Sequence, residues 1–80
     1  MLISNRLIGL RDKENISITD LAKKFGIDRK TIWRAETEQY IPKTEVLIMY
    51  AKYFDVSLDY ICGLIDNPEP ISTRKKRKSL

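Results

Sequence analysis

Between Gly26 and Glu36 the chain reads GIDRKTIWRAE, which sets Arg29, Lys30 and Arg34 in one window with Ile32, Trp33 and Ala35. On an α-helix, successive residues turn by about 100°. With Arg29 at the origin, Lys30, Trp33 and Arg34 fall within an arc of about 140°, and Ile32 and Ala35 fall on the other side. No carboxylate lies on the basic arc. A helix exposed for solubility alone usually interleaves Glu or Asp with its cations at i, i+4. Arg and Lys donate to O6 and N7 of guanine, and an α-helix fits the DNA major groove. The arc therefore has the chemistry of a face that reads double-stranded DNA. Trp33 offers an apolar surface to a thymine methyl or a sugar, but its single N–H donor gives it little power to choose among bases. The plainer alternative is a solvated basic face.

Such a face needs a body to hold it. Ser17-Ile18-Thr19-Asp20 has the form of a helix start, with Ser17 as N-cap and Asp20 at the third helical position of a capping box. The helix it opens buries Leu21, Ala22 and Phe25 and closes at Gly26, which can take the left-handed conformation. Asp28 caps the next helix, its carboxylate also favoured by that helix's positive end. The turn between the two helices is only Gly26-Ile27-Asp28, so the pair can cross steeply and approach closely.

Upstream, Ile3, Leu7 and Leu10 fall on one face of a helix ending around Asn15. Downstream, a loop from Thr37 to Lys43 leads to a helix starting near Thr44, on which Leu47, Tyr50, Ala51 and Phe54 follow i, i+3, i+4, i+7. Tyr50, Tyr53 and Phe54 read as core and rim. Asp55-Val56 is a break, and Ser57 caps a last short helix lined by Leu58, Ile61, Cys62 and Ile65. Cys62 is expected to be a small buried hydrophobe. Tyr60, Leu64 and Ile65 include apolar residues with no evident core place, which suits a dimer interface. The spacing predicts five short helices and no sustained β alternation. Residues 1–66 form the expected domain, and 67–80 the expected flexible basic tail.

The net charge of +4 comes from 15 Lys+Arg against 11 Asp+Glu, and Arg74, Lys75, Lys76, Arg77 and Lys78 supply five of the cations. Residues 1–73 alone carry 10 basic and 11 acidic groups, a balance of −1. The tail suits a nonspecific DNA arm or a solubilising terminus, and it also resembles a nuclear-import signal, a common and unspecific pattern. One cysteine and no histidine exclude a disulfide framework and a zinc site of the usual kind, so no metal and no cofactor is expected. The lack of a Ser–His pair or a Gly-rich phosphate loop leaves catalysis without candidate residues. No apolar run approaches a bilayer span, and Met1 to Ile8 lacks the layout of a signal peptide. The expectation is a soluble, cytoplasmic protein of a bacterium, nucleoid-associated, with no membrane partner.

The segment ISITDLAKKFGIDRKTIWRAE, followed by YIP and VSLDYICGL, resembles the phage-repressor and Cro-type helix-turn-helix family, the XRE family, from about Asn5 to Leu64. The resemblance implies an all-α, compact five-helix repressor-like DNA-binding domain whose helices 2 and 3 form the helix-turn-helix. It further implies a homodimer with its recognition helices one DNA turn apart, about 34 Å. It assigns Arg29, Lys30 and Arg34, with Trp33 beside them, to base reading. Ser17, Thr31, Thr37, Gln39, Tyr40 and Lys43 match phosphate-contacting positions, and the helix N-terminus at Ile18 points amides at the backbone. Arg11 and Glu36 match a partly buried salt bridge that ties the first helix to the third.

Three positions depart from the family pattern. Ile18 stands where the family often has a glutamine that contacts phosphate and braces a reading residue. Ala35 replaces a frequent large residue, and Glu38 occupies the usual glycine after the third helix. The implied function is a sequence-specific, double-stranded DNA-binding transcriptional regulator. It would act as a repressor of a phage, mobile-element or toxin–antitoxin operon, bind a pseudo-palindromic operator and block polymerase. The competing class is an adaptor or antitoxin-like interaction module with weak DNA affinity and a protein partner such as an antirepressor or a toxin. The body charge of −1, Glu38 and the missing glutamine favour it. No ligand-binding domain is evident after the helices, so an inducer is expected to act through the helical body or a partner.

Overall fold

The computed structural model describes residues 2–37 and 41–68, and every regular element among them is helical. The elements are α1 (Leu2–Lys13), α2 (Ile18–Phe25), α3 (Arg29–Thr37), α4 (Thr44–Phe54) and α5 (Leu58–Ile61). The all-α, five-helix expectation therefore holds. Gln39, Tyr40 and the tail cations Arg74 to Lys78 lie outside the described residues.

Local sequence explains the starts. Ser17 has an extended backbone, and its hydroxyl accepts the Asp20 N–H at 3.0 Å, satisfying one of the free donors at the α2 N-terminus. Ser57 does the same for α5, accepting from Tyr60 N–H at 3.1 Å. Asp28 accepts from Lys30 N–H at 3.4 Å, a longer version of the same cap. Lys43 is the N-cap of α4 without a side-chain cap bond.

Four helix ends share one construction. A left-handed residue follows the helix, and the N–H of the next residue returns to the carbonyl five residues back. The left-handed residues are Asn15 (φ 56°), Gly26 (φ 71°), Asp55 (φ 57°) and Gly63 (φ 86°). The returning bonds are Ile16 to Arg11 (3.3 Å), Ile27 to Ala22 (3.0 Å), Val56 to Ala51 (3.0 Å) and Leu64 to Asp59 (2.8 Å). Such an end reverses the chain in the space of two residues and turns the second one sideways. Ile16 and Ile27 pack against the core, and Val56 is part of it. Leu64 stays 75% exposed, the one apolar residue of the four that finds no cover within the described chain.

The largest fully buried side chains are Leu7, Leu21, Ile32, Tyr50 and Ile61, one from each helix. They meet where α1 packs on α3 and α5, α2 on α3, and α4 on α5. Truncating one of the leucines to alanine costs about 2–5 kcal/mol. Aromatic rings extend this centre: Phe25 of α2 meets Tyr50 edge-on at 5.3 Å, and Tyr53 meets Phe54 edge-on at 4.9 Å.

The C-terminal end differs from the expectation in one respect. Cys62 is exposed, as are Leu58 and Ile65, and only Ile61 of α5 enters the core. A four-residue helix presents a single position to the interior. The left-handed Gly63 stops it before the apolar periodicity can bring Ile65 back. A side chain at Gly63 would meet only the movable end of the exposed Leu2 side chain, so it is the left-handed φ of 86° that favours glycine there.

Candidate nucleic-acid interface

Helix α3 is held on one side and open on the other. Ile32, Ala35 and Glu36 are buried, whereas Arg29, Lys30, Trp33 and Arg34 are exposed, the indole at 47%. The turn that delivers α3 is closed by the Gly26–Ile27 construction, so α2 and α3 pack directly on each other. Thr31 is half-buried. Thr37 is exposed and spends its hydroxyl proton on the Trp33 carbonyl at 2.7 Å, which leaves its oxygen free only as an acceptor. Ser17 is exposed with its hydroxyl oxygen occupied by the cap, and its own O–H remains a donor. Ile18 is partly buried against the core, so any contact from this position comes from its backbone amide. Lys43 is exposed at the start of α4.

Beneath this face lies a polar network that fixes the angle of α3. Arg11 Nε donates to both carboxylate oxygens of Glu36 at 3.1 and 3.0 Å, and Nη2 donates to Oε1 at 3.0 Å. Tyr50 O–H donates to Glu36 Oε2 at 3.0 Å from the opposite side. A further Arg11 nitrogen, Nη1, donates to the Ile16 carbonyl at 2.9 Å. One buried carboxylate thus joins α1, α3, α4 and the turn before α2. Burial of this kind is tolerable only because every partner is present, and among the described residues no buried side-chain nitrogen or oxygen lacks a hydrogen bond. Hydrogen bonding to Glu36 raises Arg11 above its usual value. Burial pushes the Tyr50 phenol far above its usual value near 10, and the Glu36 charge adds to it.

Residues 7–61 match the helix-turn-helix family model. The chain belongs to the helix-turn-helix family. A protein of Bacillus subtilis (strain 168) named as an HTH-type transcriptional regulator, YobD, is 38% identical over 73 residues, covering 91% of this chain and 65% of its own length. A Methanocaldococcus jannaschii protein, also named as an HTH-type transcriptional regulator, is 36% identical over 59 residues, covering 74% of this chain and 89% of its own. A putative HTH-type transcriptional regulatory protein of Methanococcus maripaludis is 34% identical over 68 residues. The chain spans 65% of the length of the first of these and 21% of the last. No solved structure matches the chain significantly.

Three contacts of this helix-turn-helix chain have no counterpart in its sequence pattern. The Tyr50 hydroxyl is one, since its spacing marks it only as core. Arg6 is another: Nη1 donates to the carbonyls of Tyr60 (2.7 Å) and Ile65 (2.8 Å), Nη2 pairs with Asp66 at 3.1 Å, and the guanidinium lies 4.2 Å from the Tyr60 ring centre. Its only signal in the sequence is a lone cation bordering the Ile3–Leu7–Leu10 stripe. The third is Arg29 Nε donating to Thr19 Oγ1 at 3.3 Å across the turn. Tyr60 is thus already half-covered by Arg6, whereas Leu64 and Ile65 are exposed. No described helix is long and apolar enough to cross a membrane.

Proposed function

We propose that the chain is a sequence-specific, double-stranded DNA-binding transcription regulator that places α3 in the major groove. The observation that carries this reading is the division of α3, with Arg29, Lys30, Trp33 and Arg34 exposed opposite a buried Ile32, Ala35 and Glu36. A cationic face on a helix held rigidly from behind fits guanine-edge recognition. Ser17, Thr31 and Lys43, with the α2 N-terminal amides at Ile18, are the phosphate contacts of this reading, and Thr37 joins them only by giving up its bond to the Trp33 carbonyl. The names of the similar proteins accord with it. In the full proposal the chain binds a pseudo-palindromic operator as a homodimer through Leu64, Ile65 and the free side of Tyr60, and represses by occupying the promoter.

Selection of bound sites from random duplex DNA tests the proposal. The wild type should enrich a defined half-site. Arg29→Ala and Arg34→Ala should each cost about 1–3 kcal/mol and relax base choice at one position per half-site. Unchanged affinity and preference in both variants would overturn the assignment. The exposed Leu64 also suits an interaction module that binds a protein partner instead of DNA. That reading expects little salt dependence, whereas operator binding falls steeply with salt.

A further inference from the structure

Arg29 is the first residue of α3, and Thr19 is the second of α2. Both are exposed, and the contact between them, Arg29 Nε–H to Thr19 Oγ1, crosses the turn at the edge of the proposed DNA face. A long arginine at a helix start ordinarily samples many rotamers, and ordering it on binding costs conformational entropy. A bond at Nε acts at the base of the guanidinium plane. It sets the direction of the fork while leaving both terminal nitrogens, with their four N–H groups, unoccupied. Those two nitrogens, end-on, match the paired acceptors O6 and N7 of guanine. The side-on mode, which would use Nε with one terminal nitrogen, is closed while Nε is engaged. Adenine offers an acceptor at N7 beside a donor at N6, so two parallel donors cannot both be satisfied there. The Thr19 hydroxyl accepts from Arg29 and keeps its own proton to donate outward.

From this we infer that Thr19 is a positioning residue for Arg29, fixing the guanidinium end-on so that the chain requires guanine at the base pair facing Arg29. The inference rests on the reading of α3 as the recognition helix. Thr19 itself touches no base. It sharpens specificity by holding Arg29 in the one orientation that rewards guanine, and Lys30, Trp33 and Arg34 read independently of it.

The test uses the full chain and duplex DNA. Sites are selected from a random pool with the wild type, Arg29→Ala, Thr19→Val and Thr19→Ser. Dissociation constants are then measured on the selected site and on copies in which the guanine assigned by Arg29→Ala is replaced. Thr19→Val, nearly isosteric and on the surface, should keep the wild-type melting temperature. It should lower the preference for guanine at that one pair by about five- to tenfold, the net worth of an ordinary hydrogen bond, since this one is exposed. Thr19→Ser, which keeps the hydroxyl, should retain the preference. A loss spread evenly over all sequences would make Thr19 a phosphate contact only and overturn the inference, as would an unchanged guanine preference in Thr19→Val. If the wild type selects no site, or Arg29→Ala changes no position, the reading of α3 falls and takes the inference with it. A selected site that Arg29→Ala alters and Thr19→Val does not would overturn the role of Thr19 and spare that reading.

Discussion

A phenylalanine at position 50 would fill the core as Tyr50 does and would leave the buried Glu36 one donor short. Tyr50→Phe should therefore cost about 1.5–3 kcal/mol, the range for a hydrogen bond to a charged group. Arg11→Met removes two donors, and with them three contacts, and strands the carboxylate, so it should cost about 3–5 kcal/mol. Urea denaturation of both variants checks the order; no loss in Tyr50→Phe would mean that Tyr50 matters for its ring alone. The phenol also gives the fold a pH dependence of known sign. Its folded value is raised above the usual value near 10, by burial first and then by the Glu36 charge. Below pH 10 it is protonated in both states and contributes no slope. Above pH 10 the unfolded chain loses this proton and the folded one keeps it, so stability falls by up to about 1.4 kcal/mol per pH unit. Lysines titrate in the same range, and the comparison with Tyr50→Phe isolates the phenol. The wild type should lose stability more steeply than the variant between pH 10 and 11, about one unit above the usual phenol value.

Among the elements, the α2–α3 turn depends on one backbone conformation. Gly26 sits at φ 71°, and a Cβ there would meet no atom within 4 Å, so the cost of a side chain is conformational alone. Gly26→Ala should destabilise by about 1–2 kcal/mol. Gly26→Asn should cost less, because asparagine tolerates the left-handed region. Thermal denaturation of the pair tests this; equal effects would point to something other than φ. The neighbouring helix end shows the tolerance already at work, since Asn15 adopts φ 56° without being glycine. These ends and the Ser17 and Ser57 caps were legible because each is settled by residues within five positions of one another. The split of α3 into a buried and an open side was legible for the same reason, from the spacing of Ile32 and Ala35. Cys62 and Ile65 misled because they continue an apolar period that Gly63 interrupts, and periodicity carries no information on where a short helix stops. Tyr50 to Glu36 and Arg6 to Asp66 join positions 14 and 60 apart, and no local pattern brings such partners together. Arg29 to Thr19 spans only 10 positions, yet it depends on how steeply two helices cross, which spacing alone leaves open.

At the scale of the whole molecule, the basic face belongs to α3, whereas the exposed Leu64 lies beyond the end of α5. Residues 1–73 balance at −1, so in the proposed reading the attraction to DNA comes from where charges sit on α3, and Arg74 to Lys78 add to it if the tail is a DNA arm. If the exposed Leu64 is the dimer seam, Leu64→Asp should leave the melting of the monomer near wild type, because the side chain is already 75% in water. The same change should lower the sedimenting mass to that of one chain and abolish tight operator binding. A wild type that already sediments as one chain while bound to DNA would remove the dimer from the proposal. The tail makes a separate demand on the salt response. Each phosphate neutralised on duplex DNA contributes about −0.9 to the slope of log K against log salt. A chain ending at Thr73 should therefore show a slope shallower by up to about 0.9 for each phosphate that the tail neutralises, with affinity falling on every sequence alike. The ranking of operator variants should not change, because phosphate contacts position the protein and base contacts specify. An unchanged slope would make Arg74 to Lys78 a solubilising terminus. A changed ranking would mean that the tail reads bases, and the specificity assigned to Arg29, Lys30 and Arg34 would then have to be shared with it.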